Sequence, residues 1–169
     1  MALTQTRVEV KLLTTQTKPD DLSVPQDAVS YLKSLSLADG AGAGAVNLLF
    51  HDQRTLAASA TENLDLAATL ADKFGATLTF ARIKAVLVVA AAANTNNVNF
   101  TQPAANGVPG LFLAAGDGVA VQPGGMFLWV APSAAGAVVT PATGDLLTVT
   151  NSAAGTSVTY DVLILGAAT

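Results

Sequence analysis

After Lys84 the chain has no lysine or arginine, and its only remaining charges are Asp117, Asp145 and Asp161. A segment of that length offers water few favourable side chains. Its apolar residues must therefore be covered, by a core on one side and by something else wherever a second apolar side remains. The whole chain shows the same trend, with 12% charged and 51% apolar residues. That balance points to self-association or to a broad partner surface.

From Val46 onward, short β-type runs are broken by turn residues: 46–50, 62–66, 77–90, 98–101, 111–113, 119–122, 126–131, 137–140, 146–150 and 157–165. Pro123-Gly-Gly125, Pro141-Ala-Thr-Gly144 and Asn151-Ser-Ala-Ala-Gly155 supply turn chemistry between them and read as the hairpin turns of an antiparallel meander. Strands at this spacing predict an all-β antiparallel sandwich, jelly-roll-like, because a parallel α/β sheet would need interleaved helices. Residues 67–76 fit either one or two helical turns or a strand connection. In the run 126–131, Phe127 and Trp129 share one face and Leu128 and Val130 the other, so cover is expected on both sides.

The first forty-odd residues have a different texture. Arg7-Val-Glu-Val-Lys11 alternates polar and apolar, which suits a short strand or an arm that pairs with another sheet edge, and residues 1–22 read as that arm. Ser23 has the character of an N-cap, with Pro25 in the first turn and Gln26 closing a capping box. A short helix is expected to follow, carrying Val29, Tyr31, Leu32, Leu35 and Leu37 and ending by Gly40. Asp39-Gly-Ala-Gly-Ala-Gly44 is then a hinge or tight connector. With 169 residues the chain has room for one principal domain, so the predicted organisation is an arm over 1–45 and a β-sandwich domain over 46–169.

Several function classes lose support on composition. Nucleic-acid binding needs clustered cations to displace counterions, whereas the net charge here is -4 without a basic run. The longest apolar run, 85–93, is mostly alanine and far short of the ~20 residues that span a bilayer, so no membrane partner is expected. Absent cysteine removes disulfides and thiolate metal sites. Met1-Ala-Leu-Thr-Gln-Thr-Arg7 lacks the layout of a secretory signal, which makes synthesis in the cytoplasm the expectation.

Chemistry fares no better. His51 is the single histidine, and His51-Asp52 lacks the further ligands a metal site needs, a deficit that also disfavours a cupin-type enzyme. The Gly-rich stretch after Asp39 has no Gly-Lys-Ser/Thr ending and follows a predicted helix, the reverse of a phosphate loop. Gly116-Asp-Gly118 has no Asp-x-Asp run around it and reads as a turn. No Gly-x-Ser-x-Gly elbow is present. The asparagines of Asn94-Thr-Asn-Asn-Val-Asn99 suit turn backbones better than a glycan. Nothing pairs Asp117, Asp145 or Asp161 into the two-carboxylate cleft of a glycosidase. No catalytic, cofactor-binding or metal residue is assigned, and the chain is expected to be no enzyme.

Residues 50–66 (Phe50-His-Asp-Gln-Arg-Thr-Leu-Ala-Ala-Ser-Ala-Thr-Glu-Asn-Leu-Asp-Leu66) and 74–88 (Phe74-Gly-Ala-Thr-Leu-Thr-Phe-Ala-Arg-Ile-Lys-Ala-Val-Leu-Val88) resemble small proteins encoded among the structural genes of tailed bacteriophages. Pro123-Gly-Gly-Met-Phe127 and Thr143-Gly-Asp-Leu-Leu-Thr-Val-Thr-Asn151 extend the likeness, which covers about residues 46–169. Within that class the nearest functional analogy is with capsid decoration or cement proteins, which resemble jelly-roll trimers seated on the shell with arms reaching adjacent capsomers. The resemblance implies a virion protein on the capsid surface, with itself, as a homotrimer, and the phage major capsid protein as partners, and without a cofactor. The sandwich would trimerise through its apolar C-terminal strands while residues 1–45 lie along capsid subunits. The competing expectation is a tail- or fibre-associated sandwich that binds a host glycan or links tail parts.

Overall fold

A computed structural model describes residues 2–168, and among them every regular element is a strand. In chain order these are β1 (Thr6–Thr17), β2 (Gln26–Asp39), β3 (Ala45–Val46), β4 (Leu48–Leu56), β5 (Thr61–Asp65), β6 (Arg82–Ala90), β7 (Val98–Thr101), β8 (Gly118–Val121), β9 (Met126–Val130), β10 (Ala137–Val138), β11 (Leu146–Asn151) and β12 (Val158–Ala167). The all-β expectation holds, and most of the predicted runs in the domain are strands.

The body consists of two antiparallel sheets. One has the order β10-β6-β12-β4, with β9 also paired to β6, and the other has the order β5-β11-β7-β8. The pairings are nested: β4 with β12, β5 with β11, β6 with β9, and β7 with β8. Each pair encloses the next in the sequence, so the body is one long folded ribbon wrapped into two layers.

This arrangement corrects the meander. The turns at 122–125, 141–144 and 152–157 each join strands of different sheets, β8 to β9, β10 to β11 and β11 to β12. They are corners of a sandwich, not hairpins. A Pro-Gly turn reverses the chain equally well in either setting, and only the long-range pairing distinguishes them. Residues 111–113 form no strand; Leu111 is buried there and Phe112 lies against Phe100 and Phe127, with ring centroids 5.7 and 6.1 Å away. Residues 67–76 are a turn, with the Asp65 carboxylate accepting from the amides of Ala67 and Ala68 and Asp72 accepting from those of Phe74 and Ala76.

The core lies between the two sheets. Phe50, Val86, Val88, Val162 and Ile164 come from one sheet, and Leu64, Val98, Phe100, Leu147 and Val149 from the other, all within one buried cluster. At roughly 1.5–3 kcal/mol per fully buried large apolar side chain, this cluster is the main source of stability in a chain without cysteine.

The predicted helix over Val29–Leu37 is absent. Residues 26–39 are a 14-residue strand instead, paired along twelve positions of β1 from Thr6↔Leu37 to Thr17↔Gln26. The residues explain the outcome: Val29, Tyr31, Lys33, Leu35 and Leu37 stand at every second position, apolar but for Lys33, with Ser30, Leu32, Ser34 and Ser36 between them. That is period two, and β-branched and aromatic residues favour the extended chain. Ser23-Val-Pro25 caps nothing; it belongs to the ribbon's tip, where the Lys18 amide donates to the Pro25 carbonyl and the Asp20 amide to the Ser23 carbonyl, both at 3.1 Å.

Candidate interaction surface

Residues opposite one another in an antiparallel pair share a face. The β1–β2 register therefore sorts the ribbon into two unlike sides. One carries Val8/Leu35, Val10/Lys33, Leu12/Tyr31 and Thr14/Val29; the other carries Arg7/Ser36, Glu9/Ser34, Lys11/Leu32, Leu13/Ser30 and Thr15/Ala28, polar but for Ala28 and the exposed Leu13 and Leu32. The first side is an apolar stripe interrupted by one cation, Lys33, with Asp27 near the tip. Near the base this side is covered, with Leu37 buried and Val8 and Leu35 half-buried, but beyond it Val10, Leu12, Val29 and Tyr31 stand 43–59% exposed. A lone two-stranded ribbon is only marginally stable in water, so a stripe of this kind is built to be covered.

The ribbon is fixed to the body at its base. The Gly44 amide donates to the Pro132 carbonyl at 2.7 Å, the Ala38 amide to the Gly44 carbonyl at 2.9 Å, and the Gly40 amide to the Val46 carbonyl at 3.1 Å. Gly44 takes a φ of +66°, which places glycine in this tight return. Lys84, fully buried on β6, donates from Nζ to the Gly42 carbonyl at 3.0 Å, to that of Ala134 at 3.2 Å and to that of Ser133. Burial and the neighbouring Arg82 guanidinium lower its pKa. The glycine stretch is thus a pinned connector, and the arm's direction is set by the body.

A second apolar surface lies beside the ribbon's base, on the outward face of the β9-β6-β12-β4 sheet. The registers align Val130, Ala85, Leu165 and Leu49 in one row, Leu128, Leu87, Leu163 and His51 in the next, and Met126, Val89, Asp161 and Gln53 in a third. Asp161 is the one carboxylate in these rows, and it accepts from Gln53 Nε2 at 2.9 Å. A groove of about 460 Å³ runs between this face and residues 3–9 of the ribbon's root. Trp129 and Phe127 point to the core side of β9 and are half-buried, so the strand whose two faces are apolar has its core cover while Leu128 opens onto the groove.

Several charged groups of the body form one internal network, although the buried Nε of Arg82 has no partner. Tyr160 Oη on β12 donates to Glu62 Oε1 on β5 at 2.6 Å, Glu62 Oε2 accepts from Arg54, and Asp52 accepts from Arg54 and Lys73. Burial first, then the Glu62 carboxylate, pushes the Tyr160 pKa above its ordinary range, and the hydrogen bond from Lys73 draws that of Asp52 down. This network ties the rims of the two sheets together.

The residues tested for chemistry are scattered. His51 is exposed on the edge strand β4; Asp117 accepts from the Ala114 amide at 2.8 Å and Asp145 from the Ala142 amide at 2.6 Å. Asn94 bonds both ways with the Thr159 backbone, and Asn96 and Asn151 hold the 151–156 turn. Among the described residues no three His, Cys, Asp or Glu side chains gather as a metal site would need. The feature that sequence reasoning missed is the amphipathic ribbon, and its signal was the Val29-x-Tyr31-x-Lys33-x-Leu35-x-Leu37 alternation. No protein-family model matches the chain, and no curated protein or solved structure matches it either.

Proposed function

We propose that this chain is a structural virion protein of the decoration or cement class, made in the host cytoplasm, which binds the outside of a phage capsid and stabilises the shell by bridging its subunits. The observation that carries this reading is the rigidly anchored ribbon with an apolar stripe uncovered by its own chain. An arm of about 40 Å, at ~3.4 Å per residue, suits a subunit that must touch several neighbours on a lattice. The body supports the reading further. Eight strands paired β4-β12-β6-β9 and β5-β11-β7-β8 follow the order of a jelly roll, an architecture shared by viral shell and lectin domains. Fold alone assigns no activity, and the ribbon is what distinguishes this chain from other sandwiches of the same order.

In this reading each contact is weak and the lattice supplies avidity. The test is the copy number of the chain relative to the major capsid protein in purified particles, from peptides N-terminal to Lys84. Hundreds of copies per particle are expected. A dozen or fewer would place the protein in the tail or fibre, and absence from particles would remove the virion reading. Leu12→Glu and Tyr31→Glu, on the exposed stripe, should lower saturation of stripped shells without changing the body's unfolding.

A further inference from the structure

The ribbon's stripe needs an occupant, and the charges of the chain identify one. Arg7 is paired with Glu9, Arg54 with Asp52 and Glu62, and Lys73 with Asp52, while Arg82 and Lys84 donate to backbone carbonyls. Among the described residues the cations without such a partner are Lys11, Lys18 and Lys33, all on the arm, and Lys33 alone interrupts the apolar stripe. The outer sheet face has the complementary layout. It is apolar apart from His51, Gln53, Thr55, Thr159 and one carboxylate, Asp161, which makes no ion pair among the described residues, the Lys73 ammonium that lines the same pocket being paired with Asp52.

We infer that the ribbon of one copy lies across the outer β9-β6-β12-β4 face of a second copy, with Lys33 against the neighbour's Asp161. This deepens the proposed function by naming the arm's immediate partner, and it leaves the ribbon's tip, with exposed Leu22 and Val24, as the part that reaches beyond the oligomer.

Three further observations favour a second copy in this arrangement. The stripe is continuous with a contact the chain already makes, because the ribbon's root at residues 3–9 borders the same face of its own body across the groove. Every copy carries both the stripe and the face, so donation from one to the next covers both, and closes into a ring when the rotation between copies is a whole fraction of a turn. Stacking stripe on stripe in parallel would instead set Lys33 against Lys33. The projecting length, about eight residues at ~3.4 Å and ~12 Å wide, covers about 300 Å². Each contact therefore buries about 300 Å² per partner, well under the ~800 Å² per partner of a stable one-to-one complex, so the association depends on each copy making two such contacts. A contact of that size is weak alone and is strengthened by repetition around the oligomer and on a lattice.

The experiment is sedimentation velocity of the full chain between 1 and 100 µM, with Lys33→Glu, Asp161→Lys and the double variant. Both positions lie outside the core, and unchanged circular dichroism and thermal unfolding establish that each variant is folded. The wild type is expected to form a closed oligomer, with each single variant weakening it tenfold or more and the double variant restoring it. A wild type that stays monomeric at 100 µM overturns the second copy as occupant. A double variant no stronger than the singles overturns the Lys33–Asp161 register. Because no particle is present, this result stands apart from the copy number on shells: a ring without shell binding retains the inference and removes the decoration role.

Discussion

Tyr160 and Glu62 sit on opposite sheets, and the 2.6 Å bond from the tyrosine hydroxyl to the carboxylate is a polar tie across a core that is otherwise apolar. Because Tyr160 is fully buried, its neutral form is the one the fold accepts. Tyr160→Phe keeps the ring and removes the tie, leaving Glu62 to Arg54 alone. The expected loss is about 1.5–3 kcal/mol in urea unfolding at neutral pH.

The same tyrosine sets an alkaline limit. Its folded pKa is raised above the ordinary value of 10.0, so the stabilising contribution is fully present below pH 10 and is lost as pH rises beyond it. Stability should fall above pH 10 in the wild type and fall less in Tyr160→Phe. In a Tyr31→Phe background, phenolate absorbance should appear together with loss of native circular dichroism; a phenolate that forms in the folded protein near pH 10 would refute this.

Lys84 is the pin of the arm. Lys84→Met fills the same space but removes the side-chain donor of the Ser133 carbonyl and one of the two donors of the Gly42 and Ala134 carbonyls, which keep the Ala45 amide and Arg82 Nη1, at a cost of about 1–3 kcal/mol. Limited proteolysis should then cut within residues 39–45 faster than in the wild type while the body stays resistant. Equal cleavage rates would mean that the backbone bonds at Gly44 hold the connector unaided.

Gly166 lies at the irregularity between Leu165 and Gly166, where β12 shifts register on β6. A Cβ there would overlap the Arg82 carbonyl and the Phe80 ring. Gly166→Ala should destabilise by about 1–3 kcal/mol or more, because buried backbone cannot move aside cheaply. Gly42→Ala is the control: a Cβ there meets open space, and the melting temperature should hardly change.

Refolding should be slow for the size of the body. The outermost pair joins residues as distant as Leu48 and Gly166, and only β7 and β8 are both consecutive and paired within it. Dominance by such long-range pairings places two-state folding in milliseconds to seconds. Stopped-flow fluorescence of Trp129, the single tryptophan, reads it directly; a microsecond phase carrying the full amplitude would contradict the nested order.

Much of this fold was legible in the sequence for a local reason. Runs such as 98–101 and 146–150 are short, rich in Val, Leu, Phe and Thr, and end near turn residues, and those limits do not depend on what the strand pairs with. What was illegible is non-local. Pro123-Gly-Gly125 reverses the chain whether β9 pairs with β8 or crosses to the other sheet, and nothing near it records that β9 will pair with β6. The misread helix is a different case. A plausible cap at Ser23 and the extra Leu32 favour a helix locally, while period two runs from Val29 to Leu37 with interruptions at Leu32 and Lys33. Of the candidate surface, the apolar C-terminal half was visible as a deficit of charge, but the stripe and the Lys33–Asp161 complement needed the register.

The adjacency of Leu48 and Gly166 also bears on anything attached to the protein. The arm's connector and the last strand leave the body at one corner, where the Asn47 amide donates to the Gly166 carbonyl and the Ala168 amide to Asn47 Oδ1. A passenger fused after Ala168 would emerge against the root of the ribbon and crowd whatever the ribbon covers. The exposed turn at residues 153–155 is at the opposite end of the same strand, beside the 57–60 and 94–97 turns. Cargo inserted there would point away from the arm, which makes that turn the natural position for display.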